Sequence, residues 1–251
     1  MPSANAEVYL KAARAALTQE AHLNSRLDQQ AGEVRLHMEA DALVVEGEVE
    51  DIVLKRRAVL AVMEAVTEID VVDHLNVRPV EIVGDEALRA TVLRNLQEEG
   101  GLLRCSLWIG GNDADAGPVR EQVDESRGRI SVSVHDGVVV LDGYVQSLTE
   151  QRLAEVNAWW ARGCRRVDNQ LQVIPAEEDN DDELNDAVLM TLEKDPLIHA
   201  DQLQVATRHG IVKLRGVVNN ETQKDIVVMT PWYVPGVKGV EDQLQVVDNS
   251  R

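Results

Sequence analysis

Cysteine is nearly absent: the 251 residues include two, Cys105 and Cys164. That excludes a disulfide framework and a cysteine-based zinc set. Long apolar runs are absent as well. Nowhere do 18 apolar residues follow one another, so no transmembrane segment is expected. The stretch Met1 to Glu7 shows no basic residues leading into an apolar run. No signal peptide is therefore expected, and the chain reads as cytoplasmic, or as periplasmic if its native N-terminus has been trimmed. Aromatic residues make up 3% of the chain and include no phenylalanine. Positive charge is scarce: 25 Lys and Arg stand against 44 Asp and Glu, for a net charge of −19. Such a chain repels nucleic acid and anionic bilayers on average, and favours cations, basic partners or plain solubility. Catalytic signatures are missing too. There is no nucleophile elbow, no phosphate loop, no suitably placed carboxylate pair, and no metal-ligand spacing among the six histidines. No enzyme, cofactor or metal site is expected.

What the chain does have is a repeat. The stretch His135-Asp136-Gly137-Val138-Val139-Val140-Leu141-Asp142-Gly143 recurs as Arg208-His209-Gly210-Ile211-Val212-Lys213-Leu214-Arg215-Gly216. A weaker copy ends at Gly47. Counted from Gly47, Gly143 and Gly216, the same offset of 28 residues reaches Leu75, Leu171 and Leu244. Period-two alternation before and within each copy marks a β-hairpin. Asp136-Gly137 and His209-Gly210 are hairpin-turn pairs, because glycine accepts positive φ. Copy one offers Asp41-Ala42 there, so its turn must differ or be strained. Between each glycine and the last strand lies a helix-length segment: Asp51 to Val66, Thr149 to Arg162, and Glu221 to about Met229, where Pro231 stops it. Another helix precedes each hairpin, with acidic residues such as Asp85-Glu86 and Asp181-Asp182-Glu183 at its start, suiting the helix dipole.

The expected fold class is therefore α+β, in three tandem αββαβ repeats. Each is a small three-stranded mixed sheet with two helices packed on one face, the other face left open. The boundaries read 1–80, 81–176 and 177–251. The middle copy carries an insertion at about 100–127. The first part of that insertion, Leu103 to Ile109, is β-prone and suits an added edge strand; the second, Gly110 to Pro118, reads as mobile.

This unit resembles the BON domain, a family named for osmotically inducible and nodulation-associated bacterial proteins. The matching stretches are Gly137 to Gly143, Gly210 to Gly216 and, most specifically, Pro235-Gly236-Val237-Lys238-Gly239-Val240. Copy two keeps the last as Gly163-Cys164-Arg165-Arg166-Val167; copy one departs from it with Thr67-Glu68-Ile69-Asp70-Val71. The resemblance implies a non-catalytic binding or scaffold protein, stress- or envelope-associated. It also implies phospholipid surface as a ligand class. The alternatives are a protein interaction or self-assembly module, working through strand addition at exposed edges, and a K⁺ or Ca²⁺ sensor.

Candidate surface residues are the aromatic pairs Trp159-Trp160 and Trp232-Tyr233, which occupy the same repeat position, with the basic residues Arg162, Arg165 and Arg166. The aromatic pairs suit either an exposed partner or lipid surface or packing between repeats. The arginines, like Lys55-Arg56-Arg57, suit either lipid head groups or charge balance on an acidic surface. Gly47, Gly137, Gly143, Gly163, Gly210, Gly216 and Gly236 are expected to serve turns. The acidic run Glu177 to Glu183 suits Ca²⁺ by charge, but lacks the spacing of a preformed loop and reads as a solvated linker.

Overall fold

The structure is a computed structural model and describes residues 4–19, 34–111, 116–122, 127–195 and 198–247. The αββαβ unit appears three times. Copy one is α1 (Ala4–Gln19), β1 (Arg35–Glu39), β2 (Ala42–Val49), α2 (Ile52–Ala65) and β3 (Asp70–Val77). Copy two is α3 (Asp85–Glu98), β4 (Ser106–Ile109), β5 (Gly117–Arg120), β6 (Arg129–His135), β7 (Val138–Val145), α4 (Leu148–Trp159), β8 (Arg166–Asn169) and β9 (Gln172–Val173). Copy three is α5 (Asp181–Lys194), β10 (Leu203–Arg208), β11 (Ile211–Val218), α6 (Glu221–Met229) and β12 (Gly239–Val246). Contacts divide the chain into two compact units, residues 1–79 and 80–251, so the second and third copies share one body.

Each unit pairs its hairpin antiparallel and adds the last strand parallel to the second. The offset of 28 residues is that parallel register: Gly47 faces Leu75, and Gly216 faces Leu244. Apolar residues on the helix-facing side form the cores. Leu43, Val45, Val62 and Leu75 lie in copy one, Leu88, Ile130, Val132 and Leu141 in copy two, and Leu184, Val188, Val212 and Leu214 in copy three; all are buried. The N-cap of the second helix lies four residues after each repeat glycine. Asp51, Ser147 and Asn220 take that position, and each side chain accepts from the backbone N–H three residues on. A short polar acceptor at this point satisfies one of the donors a helix start leaves open.

Four details depart from the sequence expectation. Copy one turns at Ala40-Asp41, one residue earlier than Asp41-Ala42, because Glu39 pairs with Ala42. Ala40 there holds φ +51, the place that Asp136 and His209 take in the other copies, and Asp41 lacks the positive φ of Gly137 and Gly210. The insertion supplies two strands, so the middle sheet is not three-stranded but has the order β5-β4-β6-β7-β8, with β9 also on β7. Gly117 and Pro118, expected to be mobile, belong to β5, while 112–115 lie outside the described residues. Helix α4 stops at Trp159 rather than Arg162, with Trp160 as its C-cap. After α6 a 3-10 turn, Thr230–Tyr233, carries Pro231 and both aromatic residues.

Candidate functional site

The two aromatic pairs meet. Trp159 and Trp232 are buried, 7% and 8% exposed, and Trp160 and Tyr233 are half-buried. The Trp160 and Tyr233 rings lie edge to face, with centroids 6.4 Å apart and planes at 79°. Lys194 Nζ sits 5.7 Å from the Trp160 ring centroid. The pairs therefore lie where copy two packs on copy three, with α4 against α5 and against the Thr230–Tyr233 turn.

A polar network backs this junction. Lys194 Nζ donates to Glu99 Oε2 at 2.8 Å and contacts Asn157 Oδ1. Asn157 Nδ2 donates to Glu99 Oε2 at 3.0 Å and to Leu153 O at 2.7 Å. Burial alone would raise the Glu99 pKa, but the hydrogen bonds from Lys194 and Asn157 and the charge of Lys194 hold it below the ordinary carboxyl value. On the other side of α4 the buried Arg152 donates through Nε to Pro235 O at 3.0 Å and through Nη2 to Asp179 Oδ1 at 2.5 Å. One side chain of copy two thus holds the linker and the Pro235-Gly236 turn of copy three.

The acidic run is fastened rather than simply solvated. Glu177 accepts from Leu148 N at 2.9 Å, Asp179 from Arg152, and Glu183 from Thr149 Oγ1 at 2.5 Å. Asn180 caps α5. Asp181 takes the N–H groups of His209 and Gly210 at 2.6 and 2.9 Å, which hold its carboxyl below the ordinary range. Asp85 likewise accepts from the N–H groups of Asp136 and Gly137, at 2.8 and 2.9 Å. Each acid, placed at a helix start, also clamps a hairpin turn. The signal was present in the sequence: Asp85 and Asp181 become equivalent once the insertion is subtracted. Among the described residues, no group of three or more His, Cys, Asp or Glu is placed to hold a metal ion.

The basic residues scatter. Arg166 is bonded to Asp168 at 2.9 and 3.2 Å. Arg165 lies against the hairpin turn, with Nη1 3.5 Å from Asp136 O and its stem over Gly137. Arg162 is 85% exposed, 3.8 Å from Glu81. Lys55 is buried on Asp73 and Leu75 O, at 2.6 and 2.7 Å. Gly47, Gly137, Gly143, Gly163, Gly210, Gly216 and Gly236 all hold positive φ. At Gly143 and Gly216 an added Cβ would lie 2.1 and 2.2 Å from Arg129 O and Gln202 O, so the neighbouring strand leaves no room for a side chain.

The sheets also present exposed polar residues. Cross-strand polar pairs tile the faces: Arg35 with Glu46 at 3.0 Å, Lys213 with Glu241 at 2.8 Å, and Arg215 with Gln243 at 2.7 Å. On the middle sheet the Arg129 guanidinium lies 4.1 Å from the Trp108 ring centroid. Beside β1 a groove of about 570 Å³ is lined by Arg14, Val34, Arg35, Leu36, His37 and Glu46. No described helix is long and apolar enough to cross a membrane.

Comparison with known proteins bears on this arrangement. The family model described as BON domain matches residues 116–175 and 180–248, just over half of the chain and most of copies two and three. Osmotically-inducible protein Y of Escherichia coli (strain K12) is 29% identical over 122 residues, 46% of this chain and 61% of that protein. The chain thus spans less than two thirds of the length of that curated relative. Among solved structures, the C-terminal domain of CdsD, described as the structural protein of the type III secretion system of Chlamydia trachomatis, aligns over 95% of this chain and 96% of that one. Its sequence identity is 14% and its TM-score 0.24. A second CdsD structure aligns over 92% and 94% at 17% identity and a TM-score of 0.25. Superposition at that level is too poor to speak to the fold or role of this chain.

Proposed function

The chain belongs to the BON domain family, and on that premise we propose that it is a non-catalytic binding scaffold serving the response to osmotic stress. The observation that carries this reading is the junction between copies two and three. Arg152, the Glu99–Asn157–Lys194 network and the Trp160–Tyr233 contact all tie one repeat to the next. The distinctive side chains thus join modules, and the sheet faces and edges are turned outward for partners. The osmotic setting is supported by the name of the E. coli relative. Protein is the favoured class of partner, because main-chain edges recognise extended polypeptide and a chain of net charge −19 is repelled by anionic surfaces.

A cell lacking this chain is expected to grow normally at low osmolarity and poorly after an osmotic upshift. The intact chain should rescue growth, and a variant uncoupled at the junction, Arg152→Ala with Lys194→Ala, should not. Equal growth of the deletion and parent cells at every osmolarity would sink the reading.

One observation favours a second reading. The exposed Arg162 and neighbouring Arg165 form a local basic loop able to meet phospholipid head groups. Flotation with vesicles separates the two readings. Binding to anionic vesicles that weakens with salt, and is lost in Arg162→Glu with Arg165→Glu, would favour lipid. No flotation leaves protein as the partner.

A further inference from the structure

In the middle copy the outer edge of β6 is filled. Strand β4 runs parallel to it, with Leu107 opposite Ile130 and Ile109 opposite Val132. Ser106 N donates to Gly128 O at 2.9 Å, and Gly110 N to Val132 O at 2.8 Å. Beneath that strand Cys105, Leu107, Ile130 and Val132 are fully buried.

The equivalent of β6 in copy three is β10, and among the described residues no strand lies on its outer edge. The hairpin defines what that edge presents. In a two-residue hairpin the pair beside the turn, here Arg208 and Ile211, exchanges both hydrogen bonds, and alternation follows along the ladder. Thr207, Val205 and Leu203 therefore point N–H and C=O away from β11. They correspond to Val134, Val132 and Ile130, counted from the repeat glycines. Leu203 and Val205 are only half-buried, whereas Ile130 and Val132 are sealed under β4. Among the described residues, no strand of copy three thus covers the same backbone groups and the same apolar side chains that β4 covers in copy two.

Edge strands are usually blunted by charge. β3 carries Asp70 and Asp73, β12 carries Glu241 and Asp242, and β1 carries Arg35 and Glu39. β10 has no charged residue before Arg208, its last. Around it acid is dense: α5, packed on β10, exposes Asp182, Asp186 and Glu193. The segment that fills the equivalent edge in copy two, residues 101–111, contains no acid and one cation, Arg104.

We propose that the outer edge of β10 is a strand-acceptor site for an extended segment of a partner protein, apolar at alternate positions and cationic. The segment adds parallel to β10 as β4 adds to β6. This rests on the scaffold reading and gives it a site and a partner chemistry. Charge favours such a partner over a second copy, because two chains of −19 repel one another and a cationic segment is drawn in.

The test uses the full chain and, as probe, a labelled peptide of residues 102–111 with Cys105 replaced by serine. Saturable binding is expected, with hydrogen exchange at the Leu203, Val205 and Thr207 amides slowed at least tenfold. The Gln204 and Ala206 amides, already bonded to β11, should change little. A peptide of the same composition without the alternation should bind at least tenfold more weakly. Val205→Lys should weaken binding at least tenfold, and Thr207→Lys is the second variant should the first misfold. Equal binding of the reordered peptide, or unchanged exchange at the three amides, overturns the proposal. So does concentration-dependent self-association that protects those amides without peptide, which would make a second copy the occupant. If the edge binds nothing while the osmotic growth defect and its rescue persist, the edge proposal falls and the scaffold reading stands.

Discussion

At the scale of single residues, the repeat is held by positions where chemistry allows few substitutes. Gly143 and Gly84 make a direct comparison. The first has positive φ and a carbonyl 2.1 Å from where a Cβ would sit; the second has open space around it and an ordinary extended backbone. Gly143→Ala should therefore lower stability by more than about 1 kcal/mol, while Gly84→Ala changes it little, as read from urea midpoints. Glu99 makes a prediction about pH. Its folded pKa lies below the ordinary 4.5, so the folded chain holds its proton less readily than the unfolded chain. The resulting stability is complete above about pH 4.5 and fades as pH falls through the folded value. Asp181, held down by the Gly210 and His209 N–H groups, acts in the same sense. Glu99→Gln should flatten part of the acid loss in urea midpoints measured below that pH. An unchanged slope would mean that the network contributes nothing to it.

At the scale of elements, the insertion is built as part of the sheet. Arg120 on β5 donates to Cys105 O at 3.0 Å, Gln97 O at 3.3 Å and Leu102 O at 2.6 Å, tying the added hairpin to the end of α3. Beneath it, burial, helped by the charge of Glu150, pushes the Cys105 thiol up to about 12, so it stays protonated and inert. Neither cysteine should react with a thiol reagent in the native chain, since both are buried. Arg120→Ala should release one reactive thiol per chain, Cys105, without unfolding copy three. A second element-scale device recurs within the parallel strand that follows the second helix. Asp73 and Asp242 accept from Leu75 N and Leu244 N at 3.0 and 2.9 Å and pair with Lys55 and Lys224. Copy two replaces the ion pair with amides: Asn169 accepts from Leu171 N, and Gln151 donates to Leu171 O. The same geometry is reached with neutral partners, because one acceptor at that place satisfies the same N–H.

At the scale of the whole molecule, the second and third copies share one body while residues 1–79 form another. A fragment of residues 80–251 should therefore fold alone and melt in a single transition. Arg152→Met in that fragment removes the donor to Pro235 O and Asp179, which should cost on the order of 2 kcal/mol. It should also split the melt into two steps, visible by calorimetry. A single, merely shifted transition would show that the contacts left intact, the Glu99–Asn157–Lys194 network, Glu177 and Glu183 on α4, and the aromatic pair, suffice to couple the repeats.

The sequence by itself determined the repeat unit, its strand register and its turn glycines. These depend on alternation, on helix capping, on backbone freedom and on a fixed offset of 28 residues, all carried within a single repeat. It located Trp159-Trp160, Trp232-Tyr233 and the acidic run as distinctive, but left their partners open. Only the tertiary structure decided that the aromatic pairs meet each other and that Glu177, Asp179 and Glu183 fasten α4 to the next repeat. Only it showed that 101–111 seals one strand edge while, among the described residues, no strand covers the outer edge of β10. Such contacts join residues tens of positions apart, through packing between repeats. A pattern read along one chain holds no record of which distant surface will close over it.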